Sequence, residues 1–155
     1  MPEEKLLKTP VGSIKDLIVK ETAIVSPDTK INDVLSKIIK DTRSRHAYIV
    51  DKNNVLIGSI RVNNVIQYLF PTTVLLDSTD SFHIGSFIEF STAKLAKDIM
   101  NTNPSYVFED TPLAEMITIM TREKINELPV VDKNLKILGE VNVLEIIAKY
   151  LMNNS

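Results

Sequence analysis

Apolar residues recur at helical spacing in two places, one in each half of the chain. In the first half the positions i, i+3, i+4, i+7 and i+8 hold Ile31, Val34, Leu35, Ile38 and Ile39. In the second half the same spacing is kept by Leu113, Met116, Ile117 and Met120. One apolar stripe is typical of a helix packed on a core. Thr111 and Pro112 predict where the second helix begins, with the threonine as N-cap and the proline at the first helical position.

Each of these helices is followed by two short runs rich in β-branched residues, and a polar turn separates the two runs. The predicted strands are 47–50 and 55–60 in the first half, and 128–131 and 136–141 in the second. The turns contain Asp and Asn, whose side chains bond their own backbone, so each pair of strands predicts a hairpin. A closing helix carries Val65, Ile66 and Leu69, or Ile146, Ile147 and Leu151. With a first strand, each half has the order β-α-β-β-α, which predicts an α/β (α+β) fold.

The two halves are copies of one sequence pattern. Segment 14–70 returns as 96–151, at an offset of 82 residues from Asp16 to Asp98 and of 81 residues from Gly58 to Gly139. Internal duplication makes half of the chain the repeating unit. We therefore predict an N-terminal segment with the first repeat (1–70), an inter-repeat segment (71–93) and a second repeat (94–155).

The inter-repeat segment carries too many aromatic residues for a free linker. Phe82, Phe87 and Phe90 lie among Asp, Ser and Thr residues between Pro71 and Thr92. One interpretation is a short helix or strand that packs its aromatic side chains on the core. The other is a lid or a dimer contact.

Composition narrows the class of protein and of partner. The chain has 155 residues, of which 44% are hydrophobic and 25% charged, as in ordinary globular proteins. The formal net charge of -2 argues against nucleic acid as a partner, because neutralising phosphates requires a surplus of Lys and Arg. There is no cysteine, which suits a reducing compartment. The charged start, Met1 to Lys5, lacks the apolar region of a signal peptide, so we predict a cytoplasmic protein with no membrane partner.

Two ordered sets of motifs resemble the CBS domain, whose tandem pair is called a Bateman module. The longest motifs are LPVVDKNLKILGEV at 128–141 and its counterpart AYIVDKNNVLIGSI at 47–60. KDLI and KDIM, at 15–18 and 97–100, and VSPDT and VFEDT, at 25–29 and 107–111, recur in the same order. The resemblance implies two CBS repeats packed with pseudo-twofold symmetry in a stand-alone CBS domain-containing protein.

The same resemblance implies a regulatory function without catalysis. Such a module binds an adenosine-containing ligand (AMP, ADP, ATP or S-adenosylmethionine) in the inter-repeat cleft and signals to an effector protein that the sequence does not name. No cofactor is required. An apolar slot would take the adenine ring, and cations or helix N-termini would take phosphate. The implied ligand-binding residues are Val25, Pro27, Arg45, His46, Ala47, Arg61, Asn64, Leu128, Asn142 and Glu145.

The two copies depart from the family pattern where the last helix begins. The pattern has a Ser or Thr that meets phosphate and then an Asp or Asn that takes the ribose hydroxyls. The first repeat has Arg61 and Asn64 at these positions, and the second has Asn142 and Glu145. Neither repeat carries the full signature, so nucleotide binding is a hypothesis. The alternative is a scaffold or interaction module that has lost nucleotide binding.

Basic residues are concentrated in the first repeat. Arg45, His46 and Arg61 could together hold a diphosphate or triphosphate, whereas Glu127 and Glu145, near the matching positions of the second repeat, would repel it. We predict at most one strong phosphate site per chain. The alternative is that these arginines are solvated charges near a helix end.

Other kinds of site find little support. His46 and His83 are the only histidines, and a zinc site usually takes three or four protein ligands, so we predict no metal. No nucleophile, base and orienting group recur together, so we predict that the protein is not an enzyme. The apolar surplus on the helices of both repeats predicts a homodimer with twofold symmetry.

Overall fold

Each repeat folds in the predicted order β-α-β-β-α. A computed structural model describes residues 2–14, 18–19, 21–41, 43–69 and 93–153. Before the first repeat lie α1 (Pro2–Leu7), a 3-10 turn (Val11–Ser13) and β1 (Ile18–Val19). The first repeat comprises β2 (Ile24–Val25), α2 (Ile31–Lys40), β3 (His46–Val50), β4 (Leu56–Arg61) and α3 (Val62–Leu69). After α4 (Ala96–Ile99), the second comprises β5 (Val107–Phe108), α5 (Leu113–Glu123), β6 (Glu127–Val131), β7 (Ile137–Asn142) and α6 (Val143–Asn153).

The sheet of each repeat combines a parallel pair and a hairpin. In the second repeat β5 lies parallel to β6, with Phe108 opposite Val131, and β6 lies antiparallel to β7. The sheet order is β1-β7-β6-β5, and the corresponding order in the first repeat is β2-β3-β4. There β2 lies parallel to β3, with Val25 opposite Ile49. Because β5 and β6 are parallel, their carboxyl ends lie at the same edge of the sheet.

The described residues form two compact units, each with its own hydrophobic core. The repeat-1 unit is formed from Ala23–Asp51 and Ile57–Asn103, and the repeat-2 unit from Met1–Thr22, Lys52–Leu56 and Pro104–Ser155. The repeat-1 core includes Val25, Ile31, Val34, Ile38, Ile49, Ile60 and Val65. The repeat-2 core includes Val11, Val107, Leu113, Met116, Met120, Leu128, Val130 and Val141.

Each unit incorporates a segment that precedes the other repeat in the sequence. In the repeat-2 unit the N–H of Val11 donates to the carbonyl of Thr111 at 2.8 Å. In the repeat-1 unit the N–H of Ala96 donates to the carbonyl of Thr29, also at 2.8 Å. Val11 and Ala96 therefore occupy equivalent places. The predicted boundaries describe the repeats along the sequence and stay a prediction, while the packing of each unit draws on residues from both sides of them.

The predicted N-cap of α5 is wrong. The helix begins at Leu113, with Pro112 as the N-cap residue, and Thr111 makes no cap. The Thr111 hydroxyl instead accepts the N–H of Phe108 at 2.9 Å, which closes the turn after β5. The N–H of Leu113 donates to the carbonyl of Thr9 at 2.9 Å. The N-terminal segment thus satisfies the donor that a side-chain cap would otherwise serve.

The predicted apolar stripe of α2 is confirmed except at its last position. Ile31, Val34 and Ile38 are buried and Leu35 is half-buried, but Ile39 is 75% exposed. At 3.6 residues per turn, Ile39 lies about 80° around the helix from Ile31, outside the face that meets the core. Residues 70–92, which include His83 and the aromatic part of the inter-repeat segment, lie outside the described residues, as does Asp16.

Candidate functional site

The predicted phosphate-binding residues of the first repeat meet where β4 runs into α3. The N–H of Val62, the first residue of α3, donates to the carbonyl of Arg45 at 2.8 Å. Arg61 is the last residue of β4, so this bond holds the two arginine backbones side by side. His46 begins β3, and Asn64 lies in the first turn of α3. We call Arg45, His46, Arg61 and Asn64 the basic corner.

The side chains of the basic corner differ in how far solvent reaches them. Arg45 and Asn64 are exposed and Arg61 is half-buried, so both guanidinium-bearing residues border solvent. Nη1 of Arg45 donates to the carbonyl of Ser44 at 3.4 Å. His46 is buried, with its ring parallel to that of Tyr48 at a centroid distance of 6.1 Å. The corner therefore presents positive charge at its surface over an aromatic interior.

Three apolar residues of the predicted site are not part of the basic corner. Val25 is opposite Ile49, three residues further along β3 than His46, which corresponds to about 10 Å. Pro27 follows two residues later, and Ala47 is completely buried in the repeat-1 unit. The seven predicted residues of the first repeat thus share one unit, but only four of them share the corner.

The equivalent corner of the second repeat has the same backbone and a different chemistry. The N–H of Val143 donates to the carbonyl of Asn126 at 2.7 Å, which reproduces the bond between Val62 and Arg45. Glu127 lies directly opposite Asn142 in the sheet, and these side chains are only 2% and 6% exposed. We call Asn126, Glu127, Asn142 and Glu145 the acidic corner.

Asn142 has a structural role that the sequence interpretation missed. Its Oδ1 accepts the N–H of Leu144 at 2.9 Å, which caps the first turn of α6. The pattern Asn142-x-x-Glu145 is a known signal for such a cap and could have revealed it. Leu128, the third predicted residue of this repeat, is buried in the core. At the acidic corner Glu127 and Asn142 are therefore buried, and Asn142 is engaged as a helix cap.

The hairpin turn of the second repeat is stabilised as the sequence predicts. Oδ1 of Asp132 accepts the N–H of Asn134 at 2.8 Å and that of Lys136 at 2.9 Å, so this carboxylate orders the hairpin turn.

In the part of the chain that the structure describes, no helix combines the length and apolar character needed to cross a membrane.

The CBS domain family model matches this chain twice, at residues 14–71 and 96–151. The chain belongs to the CBS domain family. The matches cover most of the chain and coincide with the predicted repeats, so the protein contains a tandem CBS pair. The predicted family and fold are confirmed.

This CBS pair is similar to several known proteins. A CBS domain-containing protein from Thermotoga maritima is 31% identical over 94% of this chain and 96% of the other, with a TM-score of 0.72. CBSX2 of Arabidopsis thaliana in complex with AMP has a TM-score of 0.75 at 21% identity, over 95% of this chain and 99% of the other. The second likeness concerns the fold alone.

A curated relative is longer than this chain. The uncharacterized 33.4 kDa protein in the ribosomal RNA operon of Thermofilum pendens is 25% identical over 144 residues. The match spans 93% of this chain but 45% of that relative, so this chain covers less than half of the relative's length.

Proposed function

We propose that this CBS pair is a regulatory module that binds a phosphate-bearing adenosine ligand, such as AMP, ADP or ATP, at the basic corner. The observation that carries the proposal is the placement of Arg45 and Arg61 beside the first turn of α3. Occupancy of the corner is then signalled to a partner protein.

Three sources of positive potential meet at this corner. The guanidinium groups of Arg45 and Arg61 can each donate paired hydrogen bonds to phosphate oxygens. The N-terminus of α3 adds the positive end of the helix dipole. Asn64, exposed in the first turn, can bond ribose hydroxyls. Hydrogen bonds to charged groups contribute about 1.5–3 kcal/mol each, so the corner favours anionic ligands.

The corner discriminates among the candidate ligands by charge. Each added phosphate of ADP and ATP brings further oxygens within reach of the guanidinium groups. S-adenosylmethionine has a sulfonium cation and no phosphate, so its positive charge faces two arginines of the same sign. We rank phosphate-bearing nucleotides above S-adenosylmethionine for this reason.

The acidic corner makes a second strong phosphate site unfavourable. Glu127 and Glu145 would bring carboxylates near the anion, and Asn142 Oδ1 is already used as a helix cap. We therefore propose one strong phosphate site per chain. The AMP complex of CBSX2, which has the same fold, supports an adenosine nucleotide as the ligand class.

Regulation further requires that the ligand favour one conformation of the protein. A ligand with equal affinity for two conformations shifts no equilibrium, however tightly it binds. The proposal therefore includes a conformational difference that the partner protein recognises.

The test measures thermal unfolding of the protein with AMP, ADP, ATP and S-adenosylmethionine at millimolar concentration. A ligand at about 100 times its dissociation constant adds about 2.7 kcal/mol to the free energy of unfolding, which raises Tm by several degrees. We expect phosphate-bearing ligands to raise Tm, and the double variant Arg45→Ala, Arg61→Ala to lose the shift. Arg122→Ala is the matched control, since Arg122 is an exposed arginine of the repeat-2 unit.

Two results would contradict the proposal. The first is unchanged ATP affinity in the double variant. The second is a lack of stabilisation by every nucleotide, which would favour the alternative of a scaffold that has lost ligand binding.

We also propose a homodimer formed through α6. Leu144, Ile147 and Leu151 follow the spacing i, i+3, i+7 on this helix, and Leu144 and Leu151 are 69% and 58% exposed. The adjacent Met152 is also exposed. A continuous apolar face of this kind is unusual on a monomer and can pair with its own copy about a twofold axis.

Light scattering tests the dimer. The wild-type protein should have the mass of two chains at micromolar concentration, and Leu144→Lys with Leu151→Lys should have the mass of one. Ile39→Lys is the control, because Ile39 is an exposed but isolated apolar residue of α2. A monomeric wild-type protein would contradict this part of the proposal.

A further inference from the structure

A cavity lies at the edge of the repeat-2 sheet remote from the acidic corner. It has a volume of about 460 Å³ and is lined by Phe108, Glu109, Asp110, Val131, Asp132 and Lys133. These residues end or follow the parallel strands β5 and β6, whereas the acidic corner lies where β6 begins. The volume is within the usual range for small-molecule sites, which is about 300–1,000 Å³.

The lining combines an apolar floor with negative charge. Phe108 is 36% exposed, and its ring packs edge-to-face with that of Tyr106 at a centroid distance of 5.4 Å. Three carboxylates line the cavity against the single ammonium of Lys133. In the described part of the chain, Glu109 and Asp110 form no ion pair. An aromatic ring with nearby carboxylates favours an organic cation over an anion.

In the repeat-1 unit, a lysine lies at the position equivalent to this cavity. There the N–H of Lys97 donates to the carbonyl of Pro27 at 2.9 Å, and Nζ of Lys97 bonds Oδ1 of Asp28 at 2.8 Å. This hydrogen bond raises the pKa of the Lys97 ammonium above its ordinary value. Asp28 matches Asp110 in the repeat. The repeat-1 unit therefore supplies an ammonium of its own to this aspartate.

By its backbone hydrogen bond, Gly12 takes the place in the repeat-2 unit that Lys97 takes in the repeat-1 unit. The N–H of Gly12 donates to the carbonyl of Glu109 at 2.6 Å, the counterpart of the bond from Lys97 to Pro27. Gly12 has no side chain to reach Asp110, and Phe108 stands where the first copy has Ser26. Among the described residues the aspartate is thus retained without a counterpart of the Lys97 ammonium, and an aromatic ring has been added.

We propose that this cavity binds a small organic ammonium ion whose apolar body packs on Phe108 and whose ammonium group bonds Asp110. The ammonium takes the place that Lys97 fills in the other repeat. A metal ion fits the lining less well, because no group of three or more His, Cys, Asp or Glu residues suited to a metal occurs among the described residues. The site does not depend on the basic corner or on nucleotide binding.

The test uses 2-phenylethylamine as the probe and 2-phenylethanol, its neutral counterpart, as the control ligand. Titration calorimetry should detect binding of the amine and at least tenfold weaker binding of the alcohol, since the charged hydrogen bond is lost. Asp110→Asn should weaken the amine about tenfold. Phe108→Ser should weaken it about threefold. Both side chains are exposed, and unchanged Tm values of the free variants would establish that the fold is intact.

Asp28→Asn is the matched control, because it removes the equivalent carboxylate from the repeat-1 unit, and it should leave amine binding unchanged. The Arg45→Ala, Arg61→Ala variant should also bind the amine normally, which separates this site from the nucleotide site. Equal affinities for the amine and the alcohol would overturn the proposal. So would undiminished binding by Asp110→Asn, or no binding of the amine at millimolar concentration.

Discussion

The two strand–helix corners have one backbone and opposite charges. The bond from Val62 to Arg45 and the bond from Val143 to Asn126 differ by only 0.1 Å, at 2.8 and 2.7 Å. Around the first lie two arginines, and around the second lie buried Glu127 and the helix cap of Asn142. Backbone bonds do not depend on side-chain identity, so duplication could preserve the frame while substitution changed its charge. The difference teaches that repeat membership predicts geometry but does not predict ligand chemistry.

The two units also differ at the sheet edge remote from these corners, but there it is the repeat-1 unit whose own side chains pair and the repeat-2 unit that has a cavity. In the repeat-1 unit the edge is occupied by the salt bridge between Lys97 and Asp28. In the repeat-2 unit the corresponding edge has Gly12 and opens into the cavity beside Asp110. Each proposed site thus lies at the end of its unit where the other unit's own side chains contact one another.

The comparison of the corners is tested most strongly by giving the basic corner the residues of the acidic one. Arg45→Asn and Arg61→Asn introduce the residues found at the equivalent positions of the second repeat. Loss of two charged hydrogen bonds of about 1.5–3 kcal/mol each should weaken ATP binding at least 100-fold. Titration calorimetry of the wild-type protein should give one strong site per chain.

Glu145→Gln serves as the control for that experiment. It removes a carboxylate from the acidic corner and should change ATP affinity by less than about threefold, because Glu145 is not among the residues proposed to bind phosphate. Two equal sites per chain would break the comparison, since the two corners would then be equivalent in function.

Substitutions at Gly12 and Lys97 test whether the two sheet edges are packed differently. A Cβ added at Gly12 would lie 2.7 Å from Cβ of Glu109 and 2.9 Å from its carbonyl oxygen, so Gly12→Ala must displace backbone. Such overpacking costs about 1–3 kcal/mol. Lys97→Ala removes only an exposed salt bridge and should leave the urea midpoint unchanged within error. Equal destabilisation by both substitutions in urea unfolding would show that the two edges are not built differently.

The hairpins could be predicted from the sequence, because their signals are local. Strands 47–50 and 128–131 are predicted within one residue of the bounds of β3 and of its counterpart β6, because β-branched runs and Asp-Asn turns lie side by side in the chain. In contrast, the sequence could not predict that each unit incorporates a segment that precedes the other repeat. The bond from Val11 to Thr111 joins residues that are distant in sequence, and neither segment has a periodic pattern. The cavity likewise could not be predicted, because only backbone hydrogen bonds show that Gly12 is equivalent to Lys97.

The hairpin turns offer a comparison at matched backbone angles. Asn54 and Leu135 occupy equivalent turn positions, with φ of 62° and 60°. Asn tolerates this left-handed conformation better than Leu. Asn54→Leu should therefore lower the free energy of unfolding by about 1 kcal/mol. Leu135→Asn should raise it by about 0.5 kcal/mol, because relief of strain exceeds the loss of partial burial. Urea unfolding measures both, and destabilisation by Leu135→Asn would show that packing of the leucine outweighs its backbone conformation.

The smallest expected effect is a change in stability at low pH, which should differ between the α4 segment of the repeat-1 unit and the N-terminal segment of the repeat-2 unit. The Asp98 carboxylate accepts the N–H groups of Lys94 and Leu95, both at 2.9 Å, and these bonds lower its pKa below the ordinary value of 3.8. A lowered folded-state pKa stabilises the protein above the ordinary value, and this contribution is lost as pH falls through the folded-state pKa. At the place equivalent to Leu95 the repeat-2 unit has Pro10, which has no N–H, and Ser13 donates to the carbonyl of that proline at 2.7 Å.

Acid should therefore loosen the α4 segment without a matching change in the N-terminal one. Asp98→Asn should lower Tm slightly at about pH 7, and the difference from the wild type should shrink at low pH, as the pH falls through the lowered folded-state pKa of the aspartate. Ser13→Ala, the matched control, should give the same small difference at both pH values, since a hydroxyl does not titrate in this range. A difference for Asp98→Asn that persists in acid would mean that its bonds to Lys94 and Leu95 do not depend on the negative charge.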